Sequence, residues 1–442
     1  MLDIKFVREN PEKVKLGLKN KNAKIDLDEF LRVDAERREL SKKVDDYRAF
    51  KNNFSKKIVK ATPEEKVKLL AEMKEFDKDN DKLDGKLKEV DEKFQTLLRL
   101  IPNLPKDDVI VGKDDSENKV LRKVGKPRIF SARGGSASGG KFKALDYMEI
   151  GERLNIIDTA RAAKVSGSRF GYIKGDLAMM EFAIVEYVLH TLRKNGFSPI
   201  VPPVMISKKS MAAMGYLDRG VDEIYKVQDD LYLVGTSEQS IGPMHMDETF
   251  DEKVLPLRYV GFSTCFRREA GSYGKDTRGI LRVHQFDKLE MFSFTTPEES
   301  DKEHAFLLSM EEKLLKGLKL PYQVLNICTG DLGDPAARKW DIETWIPSEG
   351  KYRETHSTST CTDYQARRLN IRVKRKDGKT EYLHTLNGTA FAIGRILIAI
   401  LENYQQKDGS VKVPLVLQKY CGFKKIGPSS FSSPHQGEAR RG

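Results

Sequence analysis

The densest concentration of chemically capable side chains in this 442-residue sequence is Phe266-Arg-Arg-Glu-Ala-Gly-Ser-Tyr-Gly-Lys-Asp-Thr-Arg-Gly279, followed directly by Ile280-Leu-Arg-Val-His-Gln-Phe-Asp-Lys-Leu-Glu-Met291. An arginine can make a bidentate contact to phosphate, a carboxylate can accept from an amine, and an aromatic ring can stack on a base. Arg267, Glu269, Phe286 and Glu290 hold those abilities within 24 positions, 267 to 290. Taken singly, such residues are ordinary, since a lone Glu or Thr on a strand is usually solvated or capping.

Positioning them requires a hairpin. The segment reads as a strand ending in charge, a polar Gly-containing loop and a returning strand of alternating character, which brings the four residues near one surface. From about Asp146 the chain mixes helical stretches with short apolar strands. An α+β domain on an antiparallel β-sheet, flanked by helices, is expected over 146–426.

The N-terminal part has a different period. Phe30, Val33, Arg37, Leu40, Val44, Tyr47, Lys51, Phe54 and Ile58 recur in steps of three and four, and so do Met73, Phe76, Asn80, Leu83, Leu87, Val90, Phe94, Leu97 and Ile101. Two such seams predict an antiparallel two-helix coiled coil. Thr62-Pro63-Glu64-Glu65 supplies an N-cap hydroxyl, a proline at the first helical position and a capping-box glutamate, so the second helix starts near Pro63. Each arm of roughly 30 residues would rise about 45 Å. A helical-hairpin domain is therefore expected over 1–105, followed by a polar, Gly-rich linker over 106–145 that includes Arg133–Gly140. Residues 427–442, rich in Ser and Gly without an apolar pattern, read as a disordered tail.

The hairpin at 266–291 resembles motif 2 of the class II aminoacyl-tRNA synthetases, in the wording of the seryl-tRNA synthetases. Three further stretches fall in that family's order. The helix from about Asp176 into Gly196-Phe-Ser-Pro-Ile-Val-Pro-Pro203 resembles motif 1, Gly235-Thr-Ser-Glu238 resembles the TxE serine loop, and Leu386-Asn-Gly-Thr-Ala-Phe-Ala-Ile-Gly-Arg395 resembles motif 3. With the N-terminal hairpin, the resemblance spans nearly all of residues 1–426.

The resemblance implies roles position by position. Arg267 is similar to the arginine that holds the α-phosphate, Glu269 to the residue that meets the adenine amino group, Phe286 to the adenine-stacking aromatic, and Arg395 to the motif 3 arginine on the γ-phosphate side. Glu354 and Ser357, in Arg353-Glu-Thr-His-Ser-Thr-Ser-Thr360, match magnesium-binding positions, where hard oxygens suit the ion. Thr236 and Glu238 look like the pair that binds serine's α-amino group, and Glu290 and Thr389 like the partners of its ammonium and hydroxyl. The implied contacts extend to Ser237 and Asn387 on the serine side and to Arg268, Val283, His284, Gln285, Thr355 and His356 on the ATP side.

Two stretches depart from the family's commoner wording. The 354–360 segment is elsewhere closer to Glu-Ile-Ser-Ser-Cys-Ser-Asn, and His356 is its odd member, for which local packing or hydrogen bonding is the favoured role. Motif 3 has Asn-Gly-Thr-Ala-Phe where many relatives have Asn-Gly-Ser-Gly. The hydroxyl is kept, while Phe391 opens a question about the pocket.

The implied function is serine–tRNA ligation: serine attacks the α-phosphorus of ATP to give seryl-adenylate, and the terminal ribose of tRNA takes the seryl group. Polar groups built around the serine hydroxyl would reject alanine by about 10⁴ or more. ATP and Mg2+ are the implied small partners, and serine tRNA is the implied partner of the hairpin. A homodimer through the motif 1 region follows from the same resemblance.

Composition is compatible with this. The net charge of +12 favours polyanions, although alone it decides little. Hydrophobic residues make up 39% and charged residues 33%, which suits long solvated helices. Four scattered cysteines form no CxxC pair, so neither a zinc knuckle nor a disulfide framework is suggested. With no apolar leader at the start and no membrane-length apolar run, a cytoplasmic enzyme without a membrane partner is expected. Two rivals stay open: a ligase that loads a carrier protein, for which the basic hairpin would be superfluous, and a non-catalytic tRNA-binding homologue, against which the intact arginines and glutamates speak.

Overall fold

The computed structural model describes residues 1–131, 142–218, 220–271 and 278–427. The Gly-rich run at 133–140, the tip of the 266–291 hairpin and the tail beyond Gly427 lie outside the described residues. The chain divides into two compact units, Met1–Leu104 and Pro105–Gly442.

The first unit is built on two long helices, α1 (Leu27–Lys60) and α2 (Pro63–Leu100). At 34 and 38 residues they rise about 51 and 57 Å. Asp26 caps α1 by accepting from the Glu29 amide, and the Glu65 carboxylate accepts from the Thr62 amide at 3.0 Å, closing the predicted capping box. Phe30, Val33, Leu40, Val44 and Phe54 of α1 are buried. Phe30 stacks on Phe94 at 5.5 Å, and Phe50 meets Phe76 at 5.0 Å. Polar seam members find partners across the seam: Arg37 lies over the Phe94 ring and reaches Asp91, while Tyr47 and Lys51 both donate to Asp77.

The second unit contains an eight-stranded sheet: β1 (Lys119–Val124), β2 (Ser198–Ile200), β3 (Leu257–Phe266), β4 (Gln285–Thr295), β5 (Tyr322–Asn326), β6 (Arg338–Ile346), β7 (Lys351–Thr360) and β8 (His384–Ala392). The spatial order is β1-β5-β6-β7-β8-β4-β3-β2, antiparallel throughout except for the β2–β3 pair. This is the α+β architecture expected. The passage read as a linker over 106–145 supplies β1, an edge strand on β5. Its short, mostly exposed Lys-containing pattern reads as polar sequence because an edge strand faces water along most of its length.

Helices α3 (Asp176–Arg193), α4 (Ser300–Leu318) and α5 (Ile393–Tyr404) bury their apolar residues in one core with Leu289, Met291, Val324, Ile342 and Leu386 of the sheet. Because side chains alternate along a strand, the odd positions Leu289 and Met291 of β4 enter that core. The even positions Phe286, Lys288 and Glu290 point to the other face and line a cleft. No helix among the described residues is long and apolar enough to cross a membrane.

Candidate active site

The cleft has a volume of about 770 Å³, in the range of small-molecule sites. Strands β3 and β4 pair residue for residue from Leu257↔Phe294 to Phe266↔Gln285, which puts Arg267 just past one strand end and Phe286 near the start of the other. The Arg267 guanidinium lies 5.4 Å from the centroid of the Phe286 ring, and its Nε donates to Gly235 O at 3.1 Å. Glu269 accepts from Arg282 at 3.0 Å.

At the inner end the cleft is lined by Thr236, Glu238, Glu290, Asn387 and Thr389. The Thr236–Glu238 loop can approach β3 closely because residue 261 is glycine: a Cβ there would stand 2.8 Å from Ser237 Oγ and 2.7 Å from Ile241 Cδ1. Thr389 faces Glu290 across the β8–β4 pairing, where its hydroxyl helps to lower the carboxyl's pKa. Both carboxylates are buried. Burial, reinforced by the nearby Glu290 charge, pushes Glu238 up to about 7 against the pull of Tyr216, Lys288 and Arg267. Burial likewise raises Glu290, opposed by Lys288, Arg267 and Thr389.

The outer end is built by β7 and the start of α5. Arg395 donates to Glu354 O at 3.1 Å and to its Oε1 at 3.3 Å. Immersion in the protein would by itself raise the pKa of Glu354. The surrounding cations Arg395, Lys339, Arg267 and Lys288 outweigh it and hold the carboxyl down to about 2, even though the side chain is half exposed through the open cleft.

Two irregularities in the sheet decide which side chains reach this cleft. Between Ile342↔His356 and Glu343↔Glu354 the β6–β7 register slips by one, making Thr355 an extra residue in β7. Glu354 and Ser357, three apart and otherwise destined for opposite faces, therefore both line the cleft. A second slip between Thr389 and Phe391 makes Ala390 the extra residue of β8. Thr389 stays in the cleft, while Phe391 turns into the helix-side core, fully buried. There it meets His356 edge-on at 5.3 Å. The two departures from the family's commoner wording thus touch each other behind the cleft, and Phe391 does not enter the cleft's inner end.

Of the residues implied by resemblance, Thr236, Glu238, Glu290, Asn387, Thr389, Arg267, Glu269, Val283, Phe286, Glu354, Thr355, Ser357 and Arg395 line the cleft. Five others do not, each for a local reason. Ser237 Oγ turns back to Gly261 O at 3.5 Å. Arg268 and Gln285 are exposed. The His284 ring donates through Nδ1 to Arg267 O at 3.0 Å and lies near Phe170 and Tyr225. His356 is carried to the core face by the β7 bulge and pairs with Thr355 Oγ1 at 2.8 Å. Thr355 lines the cleft, but its buried hydroxyl is engaged with Thr344 Oγ1 at 2.7 Å.

Sequence reasoning did not single out Lys288, Tyr216, Lys339 or Asp341. Tyr216 donates to Glu238 Oε1 at 2.5 Å. Lys339 and Asp341 pair at 3.0 Å on β6, where burial pushes Asp341 up to about 7. Only Lys288 had a signal: it alternates with Phe286 and Glu290 along one strand face.

Comparison with known proteins now bears on this geometry. Residues 1–105 match the model of the seryl-tRNA synthetase N-terminal domain, and residues 223–404 match that of the class II tRNA synthetase core domain (G, H, P, S and T). The serine–tRNA ligase of Thermodesulfovibrio yellowstonii is 44% identical over 433 residues, covering 96% of this chain and 100% of that protein. The chain belongs to the seryl-tRNA synthetase family. The serine–tRNA ligase of Bifidobacterium animalis subsp. lactis is likewise 44% identical over 429 residues, covering 96% and 98%. The seryl-tRNA synthetase of Pyrococcus horikoshii, solved in complex with ATP, superposes with a TM-score of 0.89 at 43% identity, covering 97% of this chain and all of that one. As a family member the chain is a class II serine–tRNA ligase that uses ATP.

Proposed function

We propose that the cleft binds ATP at its outer end and L-serine at its inner end and makes seryl-adenylate by direct attack of the serine carboxylate on the α-phosphorus, with pyrophosphate leaving. The observation that carries this reading is the convergence of Arg267, Phe286, Glu290 and Thr389 from one strand hairpin and its neighbour into a single cleft. Arg267 holds the α-phosphate and neutralises charge that grows there, and Arg395 does the same on the γ-phosphate side. Phe286 stacks on adenine and Glu269 accepts from its amino group. Thr236, Glu238 and Glu290 surround the serine ammonium, and Thr389 meets the hydroxyl. Positioning and charge neutralisation supply the catalysis, and no protein general base is needed.

Mg2+ fits the outer end. The β7 bulge gives Glu354 and Ser357 a common face, Asp341 Oδ1 stands buried without a hydrogen-bond partner, and no group of three or more His, Cys, Asp or Glu among the described residues makes a closed metal cage. Such a sparse oxygen set suits an ion that takes most of its ligands from phosphates and water. Mg2+ held by Glu354 and Ser357 would shield the phosphate charge.

The helical hairpin grips serine tRNA by shape and backbone, as basic helices do with RNA duplexes that hide their base edges. Lys42, Lys56, Lys57 and Lys60 on α1 can contribute to that, as can Lys43 and Lys51 if they exchange their pairing with Glu39 and Asp77 for phosphate. The motif 1 region supports a homodimer: α3 exposes Met179 and Phe182, and Val201 beyond the short edge strand β2 is 82% exposed. A cytoplasmic enzyme fits these partners. The test is ATP–pyrophosphate exchange across the amino acids, followed by charging of total tRNA. Exchange with serine and transfer to tRNA are expected, absence of serine-dependent exchange refutes the reading, and exchange without charging favours a carrier-loading ligase.

A further inference from the structure

The serine end already contains an ammonium group. Lys288 Nζ lies 2.5 Å from Glu290 Oε2 and donates to Thr236 Oγ1 at 3.2 Å. Glu290 and Thr236 are two of the groups that surround the substrate ammonium in the function proposed above. Lys288 is 7% exposed and extends along the same strand face as Glu290. Two buried carboxylates, Glu238 and Glu290, thus share this internal ammonium, with the Arg267 charge acting on both as well. A substrate ammonium that enters this corner meets a cation already in place.

We propose that Lys288 is a resident cation that occupies the substrate-ammonium corner of the empty enzyme, keeps Glu290 ionised, and yields that corner when serine enters. Burying a carboxylate is costly unless it is paired. Without an internal cation, Glu290 would take up a proton in the empty enzyme and present serine with a neutral acid. With it, the corner is charged and polarised before substrate arrives, and serine competes with an internal ammonium rather than with a proton. The arrangement also works for selectivity, because a ligand without an ammonium cannot displace a lysine from a carboxylate.

The charged and titratable groups that face Glu290 are Lys288 on its own strand, Cys265 from β3, Arg267 beyond β3, Glu238 from the 236–238 loop and Glu311 from α4. Of these, Glu238 also gains a proton as pH falls through about 7, so the intact enzyme already has a one-proton dependence of serine binding.

The experiment rests on the proposed function and is read against the unsubstituted enzyme: if that enzyme shows no serine-dependent exchange, the function fails, whereas a difference confined to the variant concerns Lys288 alone. Serine KM and kcat are measured by ATP–pyrophosphate exchange from pH 8 to pH 6 in the full-length chain and in Lys288→Met. The intact enzyme should lose apparent affinity for serine with the slope of one proton, at most about tenfold per pH unit, and the variant with the slope of nearly two. At saturating serine and pH 8, kcat should stay within about tenfold of the original, since no transition-state contact is removed. Equal slopes in the two proteins overturn the proposal. So does a large fall in kcat with an unchanged KM profile, which would make Lys288 a phosphate ligand instead. Lys288→Arg, which keeps the charge, should restore the one-proton slope, and a two-proton slope there overturns the proposal as well. If Lys288→Met fails to melt cooperatively, Lys288→Gln carries the same expectation.

Discussion

The hairpin seam and the cleft treat charge in opposite ways. On α1 and α2 the polar seam members lie at the water's edge: Lys51 and Asp77 are 48% and 38% exposed, and Arg37 and Asp91 are 28% and 45% exposed. Exposed pairs of this kind contribute little, so no single one defines the hairpin, which stands on its apolar seam. In the cleft, Glu238, Glu290 and Lys288 are almost fully enclosed. Enclosed charges are costly to keep unless they are paired. The hairpin is complete as it stands, whereas the cleft is built to be completed by something else.

The largest expected effect separates the two regions outright. Removing residues 27–100 and rejoining the chain should lower tRNA charging by about 10³ or more, because the proposed phosphate and shape contacts would go together. Serine-dependent pyrophosphate exchange should stay within about threefold. Parallel loss of both, measured side by side on one preparation, would mean the cleft depends on the hairpin and the contrast is false. Next in size is Arg267→Ala. Among the described residues its guanidinium makes one hydrogen bond, to Gly235 O, and otherwise acts on the cleft carboxylates through its charge, so thermal stability should change far less than activity. Exchange kcat should fall by about 10²–10³, the usual loss when a preorganised charge is taken from a transition state. A comparable fall in melting temperature would make Arg267 a structural residue.

The same contrast explains what was legible in the sequence. The hairpin's form could be read almost to the residue, since heptads, Thr62, Pro63 and Glu65 act locally and helix boundaries follow from them. Its function could not, because no one side chain there does chemistry. In the cleft the reverse held. Arg267, Glu269, Phe286 and Arg395 stood out as motif positions, but no local rule reveals the two bulges, at Thr355 and Ala390, that sort Glu354 and Ser357 into the cleft and His356 and Phe391 out of it. A bulge is settled by how neighbouring strands pair, and sequence periodicity counts only along one strand. The edge strand at Lys119–Val124 was hidden for a related reason: a strand with one paired edge and mostly exposed side chains looks like a linker. Lys288 is hidden in the same way, because a lysine between an aromatic and a glutamate reads as a solvated residue until the face it shares is seen to be buried.

A third, smaller effect tests whether the cleft's inner end is tuned to serine. Thr389→Val keeps the shape and removes the hydroxyl that faces Glu290. Serine KM should rise by roughly 10- to 100-fold, the cost of leaving a charged acceptor and a substrate hydroxyl short of one partner, while ATP KM stays level. Discrimination against alanine should shrink with it. An equal rise in both KM values would place Thr389 in the general support of β8 rather than at serine.

The smallest effect is the most diagnostic, because one group acts with opposite signs on binding and on folding. Burial holds Glu238 up to about 7, above the ordinary carboxylate range. In the proposed site serine's ammonium would favour the ionised form, so apparent serine affinity should fall by about tenfold between pH 8 and pH 6. Folding runs the other way. Between the ordinary carboxylate range and pH 7 the folded chain holds a proton on Glu238 that the unfolded chain has released, so this group's contribution to stability is present at low pH and is lost as pH rises through 7. Glu238→Gln should flatten the pH dependence of serine KM at a uniformly weaker value and, in the absence of serine, remove the decline in melting temperature between pH 5 and pH 7.5 that belongs to this residue. If both slopes survive the substitution, the proton belongs to another buried carboxyl, and Asp341 on β6, which burial also brings to about 7, is the one to change next.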